Sequence, residues 1–96
     1  MNSCSVTISK WDASEYLDSD EAIAAFLADA LESGDRDVIV LALNTVARAR
    51  GMTQIAKDAG IARQALYKSL GEKGNPTLST LLGVMKSLGL KFSVTA

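Results

Sequence analysis

The segment that most constrains the fold is residues 52–70, MTQIAKDAGIARQALYKSL. Two short helical stretches flank Gly60, and glycine adopts a positive φ at almost no cost, so a sharp turn is expected there. Ala56 is small at the point where the two helices would cross closely. The apolar residues that would fill the core beneath the turn are Ile55, Ile61 and Leu66. This pattern predicts a helix-turn-helix, whose second helix enters the DNA major groove.

The second helix of this unit, predicted over residues 62–70, carries one polar face. At 100° per residue, an arc of about 140° contains Arg63, Gln64, Tyr67 and Lys68. The opposite side holds Ala62, Ala65, Leu66 and Ser69. Arginine reads guanine with two hydrogen bonds, and a glutamine amide can read adenine. An ordinary helical hairpin with a solvated basic face would show the same pattern, so that alternative stays open.

Phosphate contacts are expected where helices begin and in the loop that follows the second helix. Thr53 is predicted to cap a short helix over 54–59, and the loop EKGNP follows residue 70. The candidate DNA-binding residues are therefore Thr53, Gln54, Ala62, Arg63, Gln64, Tyr67, Lys68, Lys73 and Asn75.

Capping residues predict two helices before this unit. The first begins at Ser19 or Asp20 and ends at Gly34, and its apolar face is Ile23, Phe26, Leu27, Ala30 and Leu31. The second begins after Asp35 and ends at Gly51. The apolar run 38–43 also allows a buried strand, but apolar positions continue at Val46 and Ala47, which favours a central helix. A one-turn helix at about 13–18 is also expected.

One more helix and a strand are predicted after the loop. Thr77 caps the helix and Gly89 ends it, with Leu90 folding back onto the core. Its expected core stripe is Leu78, Leu81, Leu82, Met85 and Leu88. Phe92 and Val94 then alternate with polar residues, which predicts a short edge strand over 91–94.

The chain has 96 residues, a length that suits one compact domain. Its charge is divided between the two halves of the sequence. Residues 1–37 carry nine acidic and two basic side chains, a net charge of −7. Residues 38–73 carry a net charge of +4, and residues 74–96 add +2. An acidic segment over 1–37 and a basic unit over 38–96 suggest two surfaces for two partners, although an acidic face can also serve only solubility.

The composition argues against an enzyme. The chain has no histidine and one cysteine, Cys4, so the usual general base and a metal-ligand cluster are both missing. Neither a cofactor nor a metal is therefore expected. No apolar run approaches the roughly 20 residues that span a membrane, and the N-terminus lacks the pattern of a signal peptide. A cytoplasmic protein without a membrane partner is expected.

Four strings resemble one known family: WDASEYL at 11–17, ALESGD at 30–35, ARARGMTQIAKDAGIARQALYKSL at 47–70 and GNPTLSTLLGVMKSLGLKFSV at 74–94. The family is that of the addiction-module antidotes, the HigA-type antitoxins with a Cro/C1-type helix-turn-helix. The resemblance implies an all-α, lambda-repressor-like domain of about five helices. Two positions depart from the family pattern. Ala62 stands where the family has a capping serine, which weakens the cap by about 1 kcal/mol. Arg36 replaces a common proline, with little effect expected.

The resemblance also implies the partners. Such antitoxins neutralise a RelE/ParE-like toxin, a small basic protein, and repress their own operon as dimers on operator DNA. The acidic segment 1–37 is then the candidate toxin-facing surface, with Trp11, Tyr16 and Phe26 as candidate anchors. For Tyr16 and Phe26 a place in the core is the simpler expectation. Phe92 and Val94 on the predicted strand, or the helix over 77–88, are candidates for the dimer interface.

Two other functions are compatible with the sequence. A stand-alone repressor without a toxin would share the DNA-binding face, and an adjacent gene for a small basic protein would argue against it. A toxin-sequestering module would have lost DNA binding, although Arg63 and Gln64 are both present.

Overall fold

The computed structural model describes residues 17–96, and they form five helices. These are α1 Asp20–Ser33, α2 Arg36–Arg50, α3 Met52–Ala59, α4 Arg63–Ser69 and α5 Leu78–Ser87. Helix α1 packs on α2, and α3 contacts α2, α4 and α5. The predicted all-α class is confirmed. Most of the one-turn helix expected at about 13–18 lies outside the described residues, and Leu17 and Asp18 are not helical.

The predicted caps fix the bounds of α1 and α2. The Ser19 hydroxyl accepts a hydrogen bond from the Ala22 amide at 3.1 Å, and Gly34 ends α1 with a φ of 68°. The Asp35 carboxylate accepts from the amide of Asp37 at 2.9 Å, which begins α2. Residues 38–43 are therefore helical, and the alternative of a buried strand is excluded.

Helix α2 has the largest number of buried residues of the five described helices: Val40, Ala42, Leu43, Thr45, Val46 and Ala47. The expectation of a central helix is therefore confirmed. Its apolar run 38–43 is not buried on all sides, since Val38 is 42% exposed and Leu41 is 65% exposed. Leu17 joins the same buried cluster.

Helix α5 is rotated relative to the predicted stripe. Met85 and Leu88 of the predicted stripe are buried and Leu81 packs on the core, but Leu78 and Leu82 are exposed and Val84 is buried in their place. The rotation follows from a close approach at Gly83, where an added Cβ would lie 2.9 Å from the Cβ of Ala59 in α3. Because the smallest residue must face α3 there, Val84 turns inward and Leu82 turns outward.

Helix α1 buries most of its predicted face. Ile23, Leu27 and Ala30 are buried, and Phe26 is half-buried against the same cluster. Leu31 differs, since it lies exposed near the end of the helix. No helix within residues 17–96 is long and apolar enough to cross a membrane.

The chain after α5 folds back as predicted and then departs from the prediction. Gly89 has a φ of 73°, the Leu90 amide donates to the Met85 carbonyl at 2.9 Å, and Leu90 packs on the core. Residues 91–96 are irregular, so the predicted strand over 91–94 was wrong. A strand needs a partner for its backbone groups, and no other strand occurs among the described residues.

Candidate nucleic-acid interface

Helices α3 and α4 form the compact corner that the sequence predicts. Gly60 ends α3 with a φ of 74°, and the Ile61 amide donates to the Ala56 carbonyl at 3.0 Å. Ile55, Ala56 and Leu66 are buried beneath the turn, and Ile61 is half-buried against them. The corner therefore rests on the small residue, the glycine and the apolar side chains expected there.

The start of α3 differs from the prediction. The helix begins at Met52, directly after Gly51, so Thr53 lies in its first turn and is not a cap. Thr53 and Gln54 are both exposed. The Gln54 amide donates to the Asp58 carboxylate at 2.9 Å, and the other oxygen of that carboxylate accepts from the Ser87 hydroxyl of α5 at 2.8 Å. Asp58 therefore links the Gln54 side chain to α5.

Helix α4 exposes more of its surface than the helical wheel indicates. Arg63, Gln64, Tyr67 and Lys68 are exposed as predicted. Ala62 and Ala65 were expected on the inner side, but they are exposed too. The helix spans only seven residues, and it is anchored by Leu66 inside it and Leu70 just after it, both buried. Two side chains four positions apart form a narrow inner ridge, which leaves Ala65 on the outer face.

Ala65 is therefore a candidate contact that sequence analysis missed. Its methyl group is exposed, and at 100° per residue it lies at one edge of the polar arc, next to Lys68. A small apolar side chain in this position suits contact with the methyl group of thymine. The sequence contained one signal for this exposure, the spacing of Leu66 and Leu70. These two leucines alone can attach so short a helix to the core, so Ala65 does not need to be buried.

Two side chains of α4 interact directly. The Arg63 guanidinium lies over the Tyr67 ring, with its central carbon 5.3 Å from the ring centroid. Arg63 Nη2 donates to the Tyr67 hydroxyl at 3.3 Å. The pair is spaced i, i+4, so the two side chains occupy the same face of the helix.

The loop after α4 is tied to that helix through Gly74. The Gly74 amide donates to the Gly71 carbonyl at 2.9 Å, and the Gly71 amide donates to the Lys68 carbonyl at 3.3 Å. The Gly74 carbonyl accepts a hydrogen bond from the Arg36 guanidinium of α2. Lys73 and Asn75 flank this buried glycine and are both exposed. The side chain of Arg36, for which little effect was expected, thus helps to hold the loop.

All nine candidate DNA-binding residues are exposed, in the first turn of α3, along α4 with its N-cap, or in the loop after it. The cations among them are Arg63, Lys68 and Lys73, and Glu72 is the acidic residue within the loop. Among residues 17–96, no group of acidic, histidine or cysteine side chains could hold a metal ion. The arrangement offers hydrogen-bond donors and positive charge on one helical corner.

The N-cap of α4 gives a first prediction. Ala62 is extended, with φ −66° and ψ 142°, and supplies no side-chain hydrogen bond to the helix. Ala62→Ser is expected to raise the free energy of unfolding by about 1 kcal/mol, because the hydroxyl can accept from a free amide of the first turn. Urea denaturation measures the change. Ala65→Ser, also at an exposed site, is the control and should show no gain; equal gains in both variants would contradict a capping effect.

The acidic side chains of the N-terminal half form a second exposed surface. All seven acidic residues between 17 and 37 are exposed. Asp20 pairs with Arg50 of α2, and Asp37 pairs with Arg36 at 2.7 Å. The remaining members of this acidic surface are Asp18, Glu21, Asp29, Glu32 and Asp35.

The other predicted contact residues are Trp11, Tyr16, Phe26, Phe92 and Val94. Trp11 and Tyr16 lie outside the described residues. Phe26 is half-buried and packs against the core, which agrees with the simpler expectation for it. Phe92 is 41% exposed and Val94 is 96% exposed, so both apolar side chains are available to a partner.

Comparison with known proteins identifies relatives of the chain. A family model described as "Probable addiction module antidote protein" matches residues 7–96. A protein of Haemophilus influenzae, described as "Uncharacterized protein", is 48% identical over 84 residues, which cover 88% of this chain and 87% of its own length. No solved structure matches this chain. Because the family model spans nearly the whole sequence, the chain belongs to the family of probable addiction module antidote proteins.

Proposed function

We propose that the protein is an antitoxin of the HigA type that neutralises a toxin and represses its own operon. In this proposal, α3 and α4 are a Cro/C1-type helix-turn-helix that reads operator DNA. The observation that carries it is the exposure of all nine candidate residues on and around the α3–α4 corner, on a chain of an antidote family. A regulatory protein, rather than an enzyme, is the function this combination supports.

Each part of the corner has its own role in DNA binding. Arg63 and Gln64, in the first turn of α4, read guanine and adenine edges in the major groove. Ala65 contacts a thymine methyl group. Lys68 and Lys73 bind phosphates, and further phosphate contacts come from Thr53, Gln54 and Asn75.

The toxin is proposed to bind the acidic segment 1–37. The exposed carboxylates of α1 suit a small basic protein, because opposite charge accelerates and orients association. Trp11 and Tyr16 are proposed as the anchors of this contact, together with the accessible part of the half-buried Phe26. The division at residue 37 is thus functional, since residues 38–96 hold the proposed DNA-binding corner.

A homodimer is proposed because one short recognition helix covers only a half-site. Two copies would place their α4 helices about 34 Å apart on a near-palindromic operator. Phe92 and Val94 are exposed after α5, and Leu82 of α5 is exposed as well. We propose that a second copy covers these apolar side chains.

A gel shift with the DNA just upstream of this gene, against scrambled DNA and across a salt series, tests the proposal. Preferential binding that weakens steeply with salt is expected, because phosphate contacts release counterions. An absence of binding at low salt would instead favour a toxin-sequestering module, which the exposed acidic surface also suits. A missing neighbouring gene for a small basic protein would favour a stand-alone repressor.

Lys68 gives a prediction that separates phosphate contact from base reading. Lys68→Ala is expected to weaken binding to operator and scrambled DNA about equally, and to reduce the slope of log K against log salt by about 1. Arg48→Ala, which removes an exposed cation from α2, is the matched control and should leave the slope unchanged. A loss confined to the operator would show that Lys68 reads a base.

A further inference from the structure

The contact between Arg63 and Tyr67 bears on how a base is read. A bidentate contact to guanine needs two parallel N–H groups on one edge of the guanidinium. An exposed arginine on a helix samples many rotamers, and fixing one of them opposes binding. Arg63 is exposed, so its edge needs some other group to hold it in one direction.

Tyr67 can supply that constraint. The distance of 5.3 Å from the guanidinium carbon to the ring centroid is within the range of a cation–π contact. A side chain on a helix leans toward the preceding turn, so a ring at position i+4 covers the residue at position i. The ring has only two side-chain dihedrals and therefore fixes Arg63 at a low entropic cost.

The geometry leaves the reading edge of Arg63 available. The guanidinium carbon lies over the Tyr67 ring, 5.3 Å from its centroid, so this contact acts on the charge of the group. The Tyr67 hydroxyl accepts one hydrogen bond, from Nη2 at 3.3 Å. A guanidinium has five N–H donors, so enough remain for two bonds to a base.

We propose that Tyr67 is a positioning residue for Arg63: the Tyr67 ring and hydroxyl hold the guanidinium and direct its edge toward a guanine of the operator. This inference rests on the proposed DNA-binding function. In this inference Tyr67 acts by orienting Arg63 and makes no contact with a base itself.

The test compares Tyr67→Leu, which removes the ring, with Tyr67→Phe, which keeps the ring and loses the hydroxyl. Fluorescence anisotropy would measure affinity for operators carrying each base at each position. Arg63→Ala is expected to reduce the preference for guanine at one position by roughly 5- to 150-fold. Tyr67→Leu should reduce the same preference by roughly two- to fivefold, and Tyr67→Phe should stay close to wild type.

Two further readouts exclude a merely structural role. Affinity for scrambled DNA should fall by a smaller factor in Tyr67→Leu than the preference for guanine does, because phosphate contacts supply most of that affinity. In NMR spectra of the free protein, the Arg63 Hδ signals should be displaced by the ring in wild type and in Tyr67→Phe. They should return to ordinary positions in Tyr67→Leu.

The outcomes separate this inference from the proposed function. If wild type does not prefer the operator over scrambled DNA, the proposed function fails and the inference fails with it. If wild type prefers the operator but Tyr67→Leu keeps the full preference for guanine, only the inference is overturned. A further loss in Tyr67→Leu/Arg63→Ala at a different base would also overturn it, because Tyr67 would then read that base itself.

Discussion

Gly74→Ala is expected to lower the free energy of unfolding by about 3 kcal/mol. An added Cβ would lie 2.5 Å from the carbonyl oxygen of Lys68 and closer still to that of Ser69. Both obstacles are backbone atoms at the end of α4, so no side-chain rotation can relieve the clash. The loop must move away from α4, which also breaks the hydrogen bond from Arg36 to the Gly74 carbonyl. Thermal or urea denaturation measures the loss.

Gly71→Ala is the matched control in the same loop. An added Cβ at this position would lie 3.2 Å from the Tyr67 carbonyl oxygen and 3.5 Å from that of Lys68. These contacts are tight but need only a small adjustment, so the loss of stability should be clearly smaller than for Gly74→Ala. Equal stabilities for the two variants would show that the loop does not press on α4 as described.

The close approach of Gly74 to the end of α4 also matters for DNA binding in the proposed function. Lys73 and Asn75 flank Gly74, and their placement beside α4 depends on the close approach of this glycine. A loop that has moved would carry both phosphate contacts away with it. Gly74→Ala, assayed at a temperature where it is folded, should therefore bind operator and scrambled DNA more weakly by a similar factor.

Local signals in the sequence predicted most of the helix boundaries. Ser19, Asp35 and Thr77 accept hydrogen bonds from amides of the helices they begin, and Gly34 and Gly60 end helices in the left-handed conformation. Such caps depend on a few neighbouring residues, so they can be read without tertiary information. The prediction that Thr53 caps α3 was wrong because Gly51 connects α2 directly to α3 and itself occupies the cap position.

Helix rotation and burial depended on distant contacts and were predicted less well. Helix α5 is apolar on more than one side, so its sequence allows several inner faces. The contact between Gly83 and Ala59 selects one of them. In α2, likewise, Leu41 is 65% exposed although the run 38–43 around it is wholly apolar. Which face of a helix is buried depends on the neighbouring helix that packs against it, and the helical wheel of one helix contains no information about that neighbour.

In the candidate site, too, some features could be predicted from the sequence and others could not. The exposed polar side chains of α4 followed from helical spacing alone. Ala65 did not, because its exposure depends on how little of a seven-residue helix is buried. Helical spacing could not predict the hydrogen bond from Arg36 to Gly74 either, because it joins residues 38 positions apart.

The double variant Arg63→Ala/Gln64→Ala is expected to lose most of the preference for operator over scrambled DNA, about 2–6 kcal/mol. Both side chains are exposed in the first turn of α4, so their removal leaves the buried Leu66 and the fold intact. Each would otherwise place two hydrogen bonds on a base edge. Binding to scrambled DNA should fall only modestly, by the loss of one positive charge. Anisotropy titrations at two salt concentrations measure both quantities.

The matched control is Arg48→Ala/Asn44→Ala, which removes an arginine and an amide that are hydrogen-bonded to each other on α2. This pair has the same chemistry as Arg63 and Gln64 but lies outside the α3–α4 corner. Its removal should leave the operator preference at the wild-type value, because in the proposed function α2 makes no base contact. If Arg63→Ala/Gln64→Ala bound the operator as selectively as wild type, α4 could not be the recognition helix. A selective loss in the α2 control would move the reading surface to α2.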